Sequence, residues 1–303
     1  MKAVVVEKYG PPDGLRIKEV ETPIPKDNEL LVKIHATTVT YGDAALRRMK
    51  FPARMVFGLF LGGLGKNKIL GHELAGEVEA IGGEVTHFKE GDHIFASTGM
   101  TGGAHAEHIC LPENSMVVSK PTNMTFEEAA SVPVGGNTAL HILRKANIQN
   151  GQKALIYGAS GSVGTYAVQL AKYWGAEVTA VCSTPNLEWV RDLGADKMID
   201  YKKEDFTETG ETYDVVFDAV RKISSSQCKG LLNENGVFLS TRSPTEEKAE
   251  NLLFLRELIG EGKLSSVIDR RYSLEDIIDA HSYVDQGHKK GNVVIVVNPG
   301  KAM

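Results

Sequence analysis

Three glycines, Gly158, Gly161 and Gly164, are spaced G-x-x-G-x-x-G in ALIYGASGSVGTYAVQLAKYWG, between an apolar run and a helical one. Glycine lets a backbone turn tightly and come close to a pyrophosphate. The helix that follows offers free amide groups and partial positive charge to the phosphates. Ser160 and Ser162 add hydroxyl donors, and Val163 lies in the same loop. The chemistry predicted is dinucleotide binding; the alternative is a strand-to-helix turn that binds nothing. The next apolar run ends at Ser183 and Thr184, with no carboxylate there to repel a phosphate on the ribose. Tyr201 closes the following run, ahead of Lys202 and Lys203. These residues predict NADP(H) as cofactor; for the two lysines a solvated charge run is an equal alternative. A second candidate is His72, in ILGHELAGEV, as a metal ligand or proton relay. A lone histidine is more often a hydrogen-bonded structural residue.

The elements around these residues are of two kinds. Up to about residue 120 the chain is β-branched, in KAVVVEKY, LLVKIHATTV and LAGEVEAIG, with Gly and Pro turns between, which predicts a compact and mostly antiparallel β domain. TFEEAASVPVGGNTALHILRKA then has helical spacing with an acidic first turn. Strands and helices alternate from QKALIYG to GVFLST, which implies a parallel sheet with right-handed crossovers. SLEDIIDAHSYVDQG reads as a helix and NVVIVV as a last strand. The 303 residues suit two domains. Hydrophobic residues at 42% and charged residues at 24% are an ordinary globular mix, and a net charge of −5 argues against a nucleic-acid partner. Cys110, Cys182 and Cys228 are too far apart for a Cys-x-x-Cys pair, which fits a reducing cytoplasm. The start MKAVVVEKYG has no signal-peptide pattern, and the apolar stretch from Arg54 is too short and too rich in glycine to span a bilayer.

VTYGDAALR (39–47), GHELAGEVEAIG (71–82), FKEGDHIFA (88–96), AASVPVGGNTA (129–139), the glycine loop, LGADKMIDY (193–201) and FDAV (217–220) together resemble the medium-chain dehydrogenase/reductase superfamily. The match is to its zinc-independent quinone oxidoreductase branch, and it extends to VIDRRYSLEDIIDAHSYVDQGHKKGNVVI (267–295). The resemblance implies an α/β chain: a GroES-like β catalytic domain from 1–120 and 266–303, and a Rossmann doubly wound parallel-sheet domain from 121–265. It implies cofactor contacts from Thr138, Ala219, Ser240 and Asn292 as well. In the zinc enzymes of the superfamily, the positions that here hold Thr40, His72 and Val134 carry the catalytic metal. Only His72 is a ligand, and a catalytic zinc needs three protein ligands plus water, so no metal is expected. The four-cysteine structural zinc lobe is reduced to Cys110.

Without a Lewis acid the expected reaction is hydride transfer from NADPH to a small, hydrophobic, electrophilic acceptor, a quinone or an α,β-unsaturated carbonyl. Tyr41 is the expected hydrogen-bond donor to the acceptor, with a packed surface tyrosine as the alternative. FPARMVFGLFLGGLG is expected as an apolar lip, with a core-packing loop as the alternative. The rival functions are a zinc alcohol dehydrogenase, disfavoured by the ligand positions, and a non-catalytic NADPH-binding sensor or adaptor of the same fold. Two departures from the branch stand out: Ala45 where an aromatic is common, and Asn186 where a basic residue is common. After Thr241 the helix and sixth sheet strand usual in the family are missing, either by truncation of the sheet or because the sequence omits a segment. A homodimer is expected, though its usual sheet edge is altered.

Overall fold

The computed structural model describes residues 1–50 and 68–298, so the expected lip at 51–65 lies outside the described residues. Internal contacts divide the chain into two units. One comprises Met1–Val134, Glu247–Arg256 and the chain from Ile268 on; the other comprises Gly135–Glu246 and Glu257–Val267.

The first unit is the predicted β structure. Its larger sheet is built on β3 (Glu29–Thr38), which pairs antiparallel with β5 (Glu73–Ile81) and β7 (His108–Pro112). β6 (His93–Ser97) and β8 (Val117–Ser119) continue it on one side. On the other side lie β15 (Asn292–Val296) and β14 (Ile268–Ser273), a parallel pair from the far end of the chain. A smaller sheet has the order β2 (Leu15–Glu19), β1 (Lys2–Val6), β4 (Lys68–Ile69). Alternating Leu30, Val32 and Ile34 of β3 pack on Leu74, Val78 and Ile94. A second apolar cluster joins Val4, Val6 and Leu15 to Leu46, Ile277, Val293 and Ile295, tying both ends of the chain together.

The second unit is an open parallel sheet in the order β11 (Lys197–Asp200), β10 (Glu177–Cys182), β9 (Lys153–Tyr157), β12 (Tyr213–Asp218), β13 (Leu232–Ser240). Its core holds Leu155, Val181, Ile199 and Val216. The strand order reverses between β9 and β12, the place where open α/β sheets bind ligands. Beyond β13 the chain turns at Thr241 and enters the helix Ala249–Gly260; among the described residues no sixth strand joins this sheet. The helix expected across 125–146 is two helices, Phe126–Ala130 and Pro133–Arg144. Pro133 has no amide hydrogen to continue the first helix and opens the second instead. Thr125 caps the first through a reciprocal bond pair with Glu128.

Candidate active site

In the parallel sheet the last residues of the strands lie in register: Cys182 opposite Asp200, Val181 opposite Tyr157, and Asp218 opposite both Tyr157 and Ser240. The expected cofactor residues therefore fall along one edge. Gly158–Gly164 follow β9, Ser183 and Thr184 follow β10, Tyr201 follows β11, Ala219 follows β12, and Ser240 ends β13. The glycine loop needs two of its glycines, Gly158 and Gly164. Gly158 has φ +80°, and a β-carbon there would lie 2.5 Å from the Val220 side chain. A β-carbon on Gly164 would lie 2.1 Å from the Gly158 carbonyl oxygen. Gly161 is the N-cap of the helix Ser162–Tyr173, whose first intrahelical bond runs from the Thr165 amide to the Gly161 carbonyl. The Val163 and Gly164 amides precede that bond and have no acceptor within the helix. The cradle is backbone, open to close approach by an anion. Buried Asp218 braces its far side, accepting from the amides of Val220, Lys222 and Ile223 and lying 3.5 Å from the Ser240 hydroxyl.

Around Ser183 the structure adds residues that the sequence reading missed. No carboxylate was expected beside Ser183 and Thr184, but Asp200 reaches across from β11 and accepts the Thr184 hydroxyl at 2.5 Å. That hydroxyl proton is thereby engaged and does not face a phosphate. Asp200 also accepts from the Lys202 amide, and the Lys203 ammonium stands 3.8 Å away. Tyr201 is half exposed, with the Lys202 ammonium 5.4 Å from its ring centre. Asn186 is buried, and its amide nitrogen donates to the hydroxyls of both Ser183 and Ser160. The sequence flagged Asn186 only as a missing base. Its spacing of three from both Ser183 and Trp189 was the available signal.

Thr138 is half-buried in the helix Pro133–Arg144, and Asn292 is buried at the start of β15; they belong to different units. In the first unit, Thr40 is the N-cap of the helix Tyr41–Arg47, in a reciprocal bond pair with Asp43. Fully buried Asp43 also accepts from the Gly71 amide at 2.8 Å and bonds His72 Nδ1 at 2.6 Å. Burial pushes the Asp43 carboxyl up, but the charge and hydrogen bond of His72, with the Thr40 hydroxyl, hold it well below the usual range. Burial pushes the His72 imidazole down, and Asp43 outweighs this and raises it. Val134, at the third ligand position of the zinc enzymes, presents only an aliphatic side chain, and its amide donates to Glu73. Burial pushes Glu73 up to about 7 despite bonds from Thr38 and Val134. A capping hydroxyl, one imidazole and an isopropyl group do not make a zinc site. No group of three His, Cys, Asp or Glu able to hold a metal occurs among the described residues. Tyr41 is 59% exposed at the helix start, with the Arg48 guanidinium 5.8 Å from its ring centre.

Two family models match. One described as an alcohol dehydrogenase GroES-like domain covers residues 26–122, and one described as zinc-binding dehydrogenase covers 162–275. The chain is 32% identical to the chloroplast envelope quinone oxidoreductase homolog of Arabidopsis thaliana, over 97% of this chain and 98% of that one. That alignment runs over 337 positions, so at least 34 of them have no counterpart in a chain of 303 residues. The chain is 30% identical to the chloroplastic NADPH-dependent alkenal/one oxidoreductase of the same plant, over 99% of this chain and 80% of that one. Among solved structures, the quinone oxidoreductase from Coxiella burnetii matches with a TM-score of 0.85 and 26% identity, covering 98% of this chain and 99% of that one. With its GroES-like and Rossmann-type domains, the chain belongs to the quinone oxidoreductase branch of the medium-chain dehydrogenase/reductase superfamily.

Proposed function

We propose that the protein reduces quinones or α,β-unsaturated carbonyls with NADPH, without a metal. The observation that carries this is the backbone cradle at Gly158–Gly164, set at the reversal of a parallel sheet in a chain that has lost two zinc-ligand positions. NADPH supplies the hydride when bound. The chain's own residues would bind and orient it: amides of the glycine loop would hold the pyrophosphate and Ser160 and Ser183 the adenosine ribose, with Ala219 and Ser240 at the same strand ends. Thr138 and Asn292 are each proposed as a cofactor contact on the family resemblance alone. Tyr41 donates a hydrogen bond to the oxygen on which negative charge develops. The acceptor is small and largely hydrophobic, in keeping with the apolar sequence at 51–65.

The preference for NADPH over NADH follows from donors, in place of a ribose-reading carboxylate, at Ser183. We assign the active form as a homodimer and its place as a reducing compartment, the cytoplasm, in keeping with three free thiols. No helix among the described residues is long and apolar enough to cross a membrane. The test is NADPH consumption with a panel of quinones and enals. Turnover of several members is expected. Efficient NADP-dependent oxidation of simple primary alcohols, with no quinone or enal reduced, would overturn the assignment.

A further inference from the structure

Three side-chain contacts hold the buried amide of Asn186. The Trp189 indole Nε1, which can only donate, lies 3.1 Å from Asn186 Oδ1. That contact fixes which way the amide faces. Nδ2 must then point at Ser183 Oγ, 2.9 Å away, and at Ser160 Oγ, 3.3 Å away. Each serine oxygen is therefore an acceptor from Asn186, and each keeps its own hydroxyl proton. Among the described residues neither proton has an acceptor, since Asn186 is the only partner of either hydroxyl. Ser160 belongs to the glycine loop and Ser183 follows β10, so one buried amide ties together two hydroxyls from two segments.

We infer that Asn186 is a positioning residue for the 2′-phosphate of the cofactor. It arranges Ser160 and Ser183 as a paired, uncharged donor site. Each serine oxygen could also meet a ribose hydroxyl, but a phosphate accepts both protons at once and, being charged, in the stronger hydrogen bonds. The carboxylate nearby, Asp200, is held by the Thr184 hydroxyl and the Lys202 amide, and the Lys203 ammonium 3.8 Å away offsets its charge. The inference rests on the NADPH reading above and names what makes the selection.

The experiment is calorimetric titration of the whole protein with NADPH, NADH, adenosine 2′,5′-bisphosphate and adenosine 5′-monophosphate. The wild type should favour each 2′-phosphorylated ligand. A wild type that does not would defeat the NADPH reading, and the inference with it, before any variant is made. Asn186→Leu should cut the NADPH-to-NADH preference about tenfold, the scale of one lost hydrogen bond to a charged group. Asn186→Asp should invert the preference, because a carboxylate accepts the serine protons and repels the phosphate. Asn186→Lys should restore it and make it steeply dependent on ionic strength, while the wild-type preference changes little with salt. Trp189→Phe frees the amide to turn and should give a smaller loss, about threefold. An unchanged preference in Asn186→Leu, with the wild type selective, would overturn the positioning role and leave the NADPH reading intact. An equal loss for all four ligands would assign Asn186 to holding the glycine loop alone and overturn the inference as well.

Discussion

Asp43 serves three partners at once: it closes the cap on the helix Tyr41–Arg47, accepts from the Gly71 amide and holds His72. Removing its charge leaves a buried imidazole and an amide facing a weaker partner. Asp43→Asn should cost about 3 kcal/mol in urea unfolding, the scale for breaking a buried pair. Glu73 gives a pH signature. Its carboxyl sits at about 7 in the folded chain against 4.5 for the free group, so between those values the folded state binds more protons than the unfolded one. Stability therefore falls as pH rises through that window, by about 3 kcal/mol from this group. Glu73→Gln should remove most of the fall, seen as urea midpoints at about pH 5 and about pH 8 that draw together. Parallel pH profiles in both proteins would refute the assignment. Tyr41→Phe should lower kcat roughly a hundredfold if Tyr41 donates to the developing oxyanion, and an unchanged rate would remove it from the mechanism. The tight turn at Gly158–Gly164 was legible in the sequence, because a glycine spacing is a property of residue types. The pairing of Thr184 with Asp200 was not, since it joins residues sixteen apart through the register of two parallel strands.

The strand-to-helix unit from β9 through the helix Ser162–Tyr173 depends on how closely its two parts approach. A methyl group on Gly164 would meet the Gly158 carbonyl at 2.1 Å and the Ala159 α-carbon at 2.8 Å, so helix and strand would have to separate. Gly164→Ala should lose about 1–3 kcal/mol of stability, as overpacking does, and at least tenfold in affinity for both cofactors. Gly161→Ala is the control for stability. Its β-carbon would find nothing closer than 3.5 Å at a φ of −84°, so the unfolding midpoint should hardly move. Equal losses in the two variants would show that crowding is not the cause. Strands such as β3, β9 and β12 were legible from their β-branched runs. The break before Pro133 was legible in principle, because proline and an N-terminal capping pair are both sequence signals. β14 was harder to see. IDRRYS has little apolar content and becomes a strand because β15 offers it a parallel edge.

For the whole molecule, metal analysis of protein purified without added zinc should find well under one equivalent, and stoichiometric zinc at His72 would overturn the donor-set reasoning. β13 is the last strand of its sheet, with no neighbour on its outer side among the described residues, and an open edge of that kind is a common seat for two-fold pairing. Light scattering at micromolar concentration should give a dimer; a strict monomer would remove that assignment. The doubly wound order was legible from the alternation of strands and helices, whereas the short run between Thr241 and Ala249 left two readings open, a truncated sheet or an omitted segment. The discontinuity of the first unit has a further consequence, for synthesis on the ribosome. Thr38 of β3 pairs with Val294, and Arg47, fully buried, is bonded to His281 and Asp285. The earliest residues to leave the exit tunnel must therefore wait for almost the last ones, while the parallel sheet can close behind them. A chain ended after residue 267 and released from the ribosome should carry a protease-resistant core from about residue 135 onward and a digestible front, the reverse of the usual order in which the amino-terminal domain folds first.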